Sequence, residues 1–255
     1  MKSQIILLSI MSIHLCQAQF QPTYYQQGGE QMPYQIRFPK DYDAEKQYPL
    51  LLFLHGAGER GNDNQRQLTF IQSFLENNQI DEYQSIVILP QCPENSYWSN
   101  VKQTTINSKR FFQFDYTNDP SQAMNLLLSL LDDWLDSGKI DPQRVYVGGL
   151  SMGGMGTFEL LYRRPNLFAA AFPICGGGDV NCLKDQTKGT AIWIFHGAED
   201  EVVSVSFSQE MYAALLESGA DVRYSEYEGV GHNSWDSAFA EKSLLEWIFN
   251  QKREN

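Results

Sequence analysis

Residues 145–154 read Val145-Tyr146-Val147-Gly148-Gly149-Leu150-Ser151-Met152-Gly153-Gly154. An apolar run stops at a Gly-x-Ser-x-Gly pattern, and residues of helical character follow it. This is the pattern of a nucleophile elbow, a strand that turns sharply into a helix with a serine at the corner. The spacing has a steric cause. Serine at such a turn sits in strained backbone, and a side chain two residues to either side would strike a neighbouring strand or helix. Gly149 and Gly153 remove that collision. The helix N-terminus behind the turn favours a developing negative charge. Ser151 is therefore the candidate nucleophile.

Other short apolar runs lie on both sides of the elbow: Leu50–Leu54, Ile86–Leu89, Ala169–Ile174 and Ala191–Phe195. Runs of this length, bounded by turn residues, suit strands buried on both faces of a parallel sheet. Tyr34–Phe38 and Val222–Tyr227 alternate more and read as outer strands. Between the strands, helical periodicity covers Gln65–Asn78, Met152–Arg164, Ser206–Ser218 and Ala238–Gln251. A further helix has Asp119 as its cap, Pro120 in its first turn, an apolar stripe through Met124, Leu127, Leu128, Leu131, Trp134 and Leu135, and Gly138 at its end. Alternation of this kind predicts a doubly wound, mostly parallel α/β sheet with helices on both faces. No repeat or linker divides the chain, so residues 19–255 are expected to form one domain.

A nucleophilic serine needs a base, and the chain has only four histidines. His14 falls in the N-terminal segment. His55 and His196 each end a strand and precede glycine, which suits loop shaping. That leaves His232, in a Gly-rich loop after the last expected strand. The acid is expected between serine and histidine in chain order. Asp200, in Phe195-His196-Gly197-Ala198-Glu199-Asp200, fits, with Asp179 as its rival. Asp200 would accept the second ring N–H of His232 and fix its tautomer. The oxyanion needs two N–H donors. Met152, next to the nucleophile, offers one. The loop Leu54-His55-Gly56-Ala57-Gly58-Glu59-Arg60-Gly61 offers the other, at Ala57, with Gly58 second.

These motifs together resemble the α/β-hydrolase superfamily. The stretches FLHGAGERG, LPQCP…W, GGLSMGG, PICGGGD and IFHGAEDEVV are similar to those of secreted esterases of the phospholipase/carboxylesterase-like and feruloyl-esterase-like kinds. Dienelactone hydrolases and prolyl oligopeptidases are relatives of that group. The resemblance covers roughly Tyr34 to Asn250. It implies ester hydrolysis through an acyl-enzyme, without metal or organic cofactor. Dienelactone hydrolases carry Cys at the elbow, where this chain has Ser151. Prolyl oligopeptidases carry a propeller for which the chain has no room.

The remaining features bound the substrate and its compartment. Thirty-one acidic against 19 basic residues in a chain of 255 argue against a nucleic-acid or anionic-membrane partner. Met1-Lys2, the apolar Ile5–Leu15 and Cys16-Gln17-Ala18 form the pattern of a secretory signal cleaved after Ala18, too short to span a bilayer. The expected location is extracellular or periplasmic, with no stable membrane anchor. Cys92, Cys175 and Cys182 remain. A Cys175–Cys182 bridge, with Cys92 a buried thiol, is one arrangement for an oxidising compartment. The interval Cys175–Thr190 is too short for a large cap domain, so an open cleft is expected. The longest insertion, Gln91–Asp119, is rich in aromatics. Trp98 and Trp235 are the candidate pocket walls. The expected function is a secreted serine carboxylesterase acting on carbohydrate-linked acetyl or feruloyl esters. A peptidase using the same triad and a non-catalytic binding module on the same scaffold are the alternatives.

Overall fold

The computed structural model describes residues 19–107, 109–183 and 187–254. The proposed signal segment, residues 1–18, lies outside them. Eight strands form one sheet: β1 (Gln21–Gln27), β2 (Glu30–Arg37), β3 (Tyr48–Leu54), β4 (Ile86–Pro90), β7 (Ile140–Leu150), β8 (Ala170–Ile174), β9 (Ala191–Gly197) and β10 (Val222–Tyr227). Their spatial order is β1-β2-β4-β3-β7-β8-β9-β10. From β4 to β10 every pairing is parallel, while β1 and β2 enter antiparallel. The mostly parallel α/β sheet is as the sequence pattern predicts.

Side-chain alternation along β3 explains why the run reads as continuously apolar. Leu50, Leu52 and Leu54 enter one core, and Leu51 and Phe53 enter the other. The first core is covered by α2 (Gln122–Asp136), α3 (Met152–Arg163) and α5 (Val205–Glu217). The second is covered by α1 (Ile71–Asn77), α6 (Trp235–Phe239) and α7 (Leu244–Asn250). Each fully buried leucine or phenylalanine contributes roughly 1.5–3 kcal/mol, so a strand apolar on both faces anchors two layers at once.

Several boundaries differ from the sequence reading for local reasons. Ser121, not Asp119, caps α2: its Oγ accepts from the Met124 N–H at 3.1 Å. Gly138 does follow that helix, with φ +73°. The Gln65–Asn78 periodicity splits into a 3₁₀ turn at Arg66–Leu68 and then α1. The C-terminal periodicity splits into α6 and α7. Strand β1, Gln21-Pro22-Thr23-Tyr24-Tyr25-Gln26-Gln27, buries only Tyr25 and lies at the sheet edge, so it lacks the apolar signal of a buried strand. The insertion before α2 contains a separate antiparallel hairpin, β5 (Val101–Ile106) and β6 (Lys109–Phe114). Between β8 and β9 the described residues hold only the four-residue α4 (Val180–Leu183), so no large cap stands there. All three described cysteines are unpaired, which removes the expected Cys175–Cys182 bridge. Cys175 is buried, with its sulfur within 4.8 Å of Asp200 and His232 ligand atoms, whereas Cys182 sits half-buried on α4. No helix among the described residues is long and apolar enough to cross a membrane.

Candidate active site

Ser151 follows β7 and begins the turn into α3, with φ +53° and ψ −115°. A non-glycine residue in this region is strained, and two neighbours over-determine it. Its N–H donates to the Ile174 carbonyl at 2.8 Å, and its carbonyl accepts from the Met155 N–H at 3.0 Å. A Cβ on Gly149 would collide with the Gly153 backbone, and a Cβ on Gly153 with the Leu54 carbonyl. The elbow therefore closes only with glycine on both sides.

His232 lies on the loop after β10. Its Nε2 is 3.0 Å from Ser151 Oγ, and its Nδ1 is 2.7 Å from Asp200 Oδ2. A carboxylate only accepts, so Nδ1 carries the proton and Nε2 is left to accept from the serine hydroxyl. Asp200 follows β9. Its second oxygen, Oδ1, accepts from the Val202 and Val203 N–H groups at 2.8 and 2.9 Å. Burial would raise this carboxyl, but hydrogen bonds from His196 and His232 and the nearby positive charge hold it well below the usual carboxylate range. The two loops are stitched together: the Glu199 N–H donates to Val230 O at 2.9 Å. Gly197 permits the crossing, because a Cβ there would strike the Val230 and Gly231 carbonyls. Asp179, the rival acid, instead accepts from the Asn181 and Cys182 N–H groups at the start of α4.

The other strand-end histidines have fuller roles than loop shaping. His196 Nε2 lies 3.2 Å from Asp200 Oδ2 and 2.9 Å from Val203 O, and its Nδ1 is 2.7 Å from Ser208 Oγ. It braces the same carboxylate oxygen that His232 uses. His55 donates from Nδ1 to Gly56 O at 2.6 Å and accepts the Cys92 N–H on Nε2 at 2.9 Å. Burial pushes its imidazole down to about 4, so it stays neutral and pins the loop carrying Ala57. Ala57 and Met152 are each the first residue of a helical turn, positions whose N–H has no acceptor within the helix.

Together these loops border a cleft of about 560 Å³. Ser151, His232, Ala57 and Trp235 line it. Trp235 packs edge-on to the His232 ring at 5.5 Å and against Phe70 at 5.1 Å. Trp98 does not line it. The ring is fully buried, edge-on to His55 at 5.4 Å, and its Cβ stands where a Gly156 side chain would begin. It supports the oxyanion loop from below, which corrects its expected place in the pocket wall. The β5–β6 hairpin supplies wall residues Gln103, Arg110 and Phe112, and the loop after β3 supplies Glu59 and Arg60. Burial raises the Glu59 carboxyl. Neither arginine was among the expected site residues. The usable signal was a 14-residue stretch, 101–114, with three cations and no acid.

The match to the Phospholipase/Carboxylesterase family model runs over residues 42–245, spanning every strand from β3 to β10. The chain belongs to this family. It is a serine hydrolase of the carboxylesterase type. Carboxylesterase SOBER1 of Arabidopsis thaliana is 24% identical over 211 residues, 78% of this chain and 88% of that protein. A thermostable esterase of known structure is 36% identical with a TM-score of 0.78, over 92% of this chain and 63% of that one. A ferulic acid esterase shares the fold at TM-score 0.66 and 17% identity, over 91% of this chain and 98% of the other.

Proposed function

We propose that this carboxylesterase works through an acyl-enzyme built on Ser151, with carbohydrate-linked acyl esters as its substrates. The observation that carries the reading is the continuous chain of bonds from Ser151 Oγ through His232 to Asp200, at 3.0 and 2.7 Å. His232 Nε2 takes the hydroxyl proton as Ser151 attacks the ester carbonyl. Asp200, held by Val202, Val203 and His196, stabilises the imidazolium that forms. The Met152 and Ala57 N–H groups receive the oxyanion. His232 then protonates the leaving alcohol, and water repeats the sequence on the acyl-enzyme.

The substrate class rests on the cleft. Tyr97, Phe112, Trp235 and Phe70 supply aromatic faces on which a sugar or phenolic ring can stack. The shared fold of a ferulic acid esterase supports this reading. The first 18 residues read as a secretory signal, and the exported enzyme would begin at Gln19. One experiment tests these points on the full-length gene product. The exported protein is purified, its N-terminus is read by mass, and turnover of 4-nitrophenyl acetate, methyl ferulate and acetylated xylan is measured. Ser151→Ala is expected to lower turnover by about three orders of magnitude or more, with circular dichroism unchanged. Normal turnover by that folded variant would sink the triad, and faster cleavage of aminoacyl nitroanilides than of esters would replace esterase by peptidase.

A further inference from the structure

Nine arginines occur in the chain, and most have an evident use. Arg37, Arg66, Arg144, Arg163 and Arg164 pair with carboxylates. Arg223 lies over the Trp193 and Trp247 rings, and Arg253 binds carbonyl oxygens. Arg60 lines the cleft with its Nε and one terminal nitrogen bonded to Ala57 O and Ser96 O, at 3.0 and 3.2 Å. Arg110 differs from all of these. It projects from β6, and its guanidinium forms no hydrogen bond or ion pair with another described residue. This happens in a chain with twelve more acidic than basic residues, where a carboxylate partner is easily found.

Its position gives the guanidinium a use. Arg110 and Val202 line both the cleft of Ser151 and an adjoining hollow of about 650 Å³, which Phe111, Ser204 and Phe207 continue. The fields of Arg60 and Arg110 meet at Tyr97: burial raises its phenol, and both guanidiniums act to lower it. Three carboxylates share these spaces, Glu59 in the cleft and Asp200 and Glu201 in the hollow, and none neutralises Arg110. Asp200 is held by His232, and Glu59 and Glu201 form no ion pair with either arginine.

From this we infer that the enzyme selects esters carrying a second, anionic group, a carboxylate on the acyl or alcohol part, which Arg110 receives across Val202 from Ser151. A planar guanidinium offers a fork of donors that fits a carboxylate with two parallel bonds. Arg60 adds to the positive field but is tied to the backbone, so Arg110 is the specificity-determining residue. In the carbohydrate setting proposed above, the chemistry points to esters on acidic sugars. The inference rests on the esterase reading and goes beyond it.

The test compares matched esters in low salt. On the acyl side the pair is mono-4-nitrophenyl glutarate and 4-nitrophenyl valerate. On the alcohol side it is 4-acetoxybenzoate and phenyl acetate. The readout is the anionic-to-neutral ratio of kcat/KM, and comparing variants cancels intrinsic reactivity. Arg110→Gln is expected to lower the ratio for at least one pair roughly three- to tenfold, mainly through KM. Arg110→Lys should keep part of the preference, and 0.5 M salt should weaken it in the wild type. Lys139→Gln, at the far end of β7, should leave the ratio unchanged. An unaltered ratio in Arg110→Gln for both pairs overturns the inference, as does an equal fall in Lys139→Gln. Wild type that hydrolyses none of the four esters brings down the esterase reading, and this inference with it; wild type that hydrolyses only the anionic members supports both.

Discussion

The elbow and the β5–β6 hairpin face each other across one cleft, and they are built on opposite terms. Beneath Ser151 the chain is packed backbone against backbone and ring against ring: Gly153 lies against the Leu54 carbonyl, and the Trp98 ring packs edge-on to His55. The hairpin is a two-stranded ribbon whose Ile106 and Phe111 are more than half or half exposed, at 55% and 50%. It lines the cleft with three residues, Gln103, Arg110 and Phe112. The contrast separates two jobs. Catalytic groups need positions held to fractions of an ångström, which strand ends locked by packing provide. Substrate choice needs surface that can change without disturbing the sheet, which a hairpin outside it provides.

The most drastic way to break this contrast is a single methyl group. Gly153→Ala places a Cβ on the Leu54 backbone, with the His55 carbonyl 2.8 Å away. Backbone in the middle of a buried sheet cannot step aside, so the loss should be at least about 3 kcal/mol, seen as a collapsed melting temperature or insoluble protein. Phe111→Ala on the hairpin should shift melting by about 1 °C at most, since exposed substitutions cost little. Equal effects at the two sites would remove the distinction.

A smaller effect comes with acid. His55 titrates near 4 in the folded chain against an ordinary 6.5. The unfolded chain therefore binds the proton first, and stability falls as pH drops from 6.5 toward 4, by on the order of 3 kcal/mol in full. Asp200 shifts downward as well, so its share is lost only at lower pH, below the usual carboxylate range. Melting curves from pH 8 to 4 should show the first loss in the wild type and a flatter profile in His55→Asn. An identical slope in both would mean that the oxyanion loop is not the acid-sensitive part.

How much of this could be read beforehand divides along the same line. The buried strands announce themselves because both faces are apolar, and the elbow because only glycine fits on either side of Ser151. Three of four histidines could be set aside by position, which left His232. What that elimination missed was that setting a residue aside as base does not leave it idle: His196 and His55 are bonded at both ring nitrogens. The hairpin was harder to see. Its strands, Val101-Lys102-Gln103-Thr104-Thr105-Ile106 and Lys109-Arg110-Phe111-Phe112-Gln113-Phe114, show neither a continuous apolar run nor regular alternation, and only the three-dimensional path of the chain brings Arg110 and Phe112 to the cleft of Ser151. Trp98 shows the converse. An aromatic of the insertion Gln91–Asp119 is a support and not a wall, because membership of a loop says nothing of which side of it a ring takes.

The gentlest probe of the contrast is Phe112→Ala. The ring lines the cleft and meets Phe207 edge-on at 5.9 Å, a contact outside the two main cores. Removing it takes away one aromatic face from the substrate, worth about 0.5–1 kcal/mol. The expected result is a two- to fivefold rise in KM for methyl ferulate, with kcat nearly constant and melting nearly unchanged. That split is the signature of binding lost equally from ground and transition states. A fall in kcat at constant KM would mean that the hairpin helps to align the reacting ester over Ser151. The division between a rigid chemical face and an exchangeable selecting face would then fail at the point where the two touch.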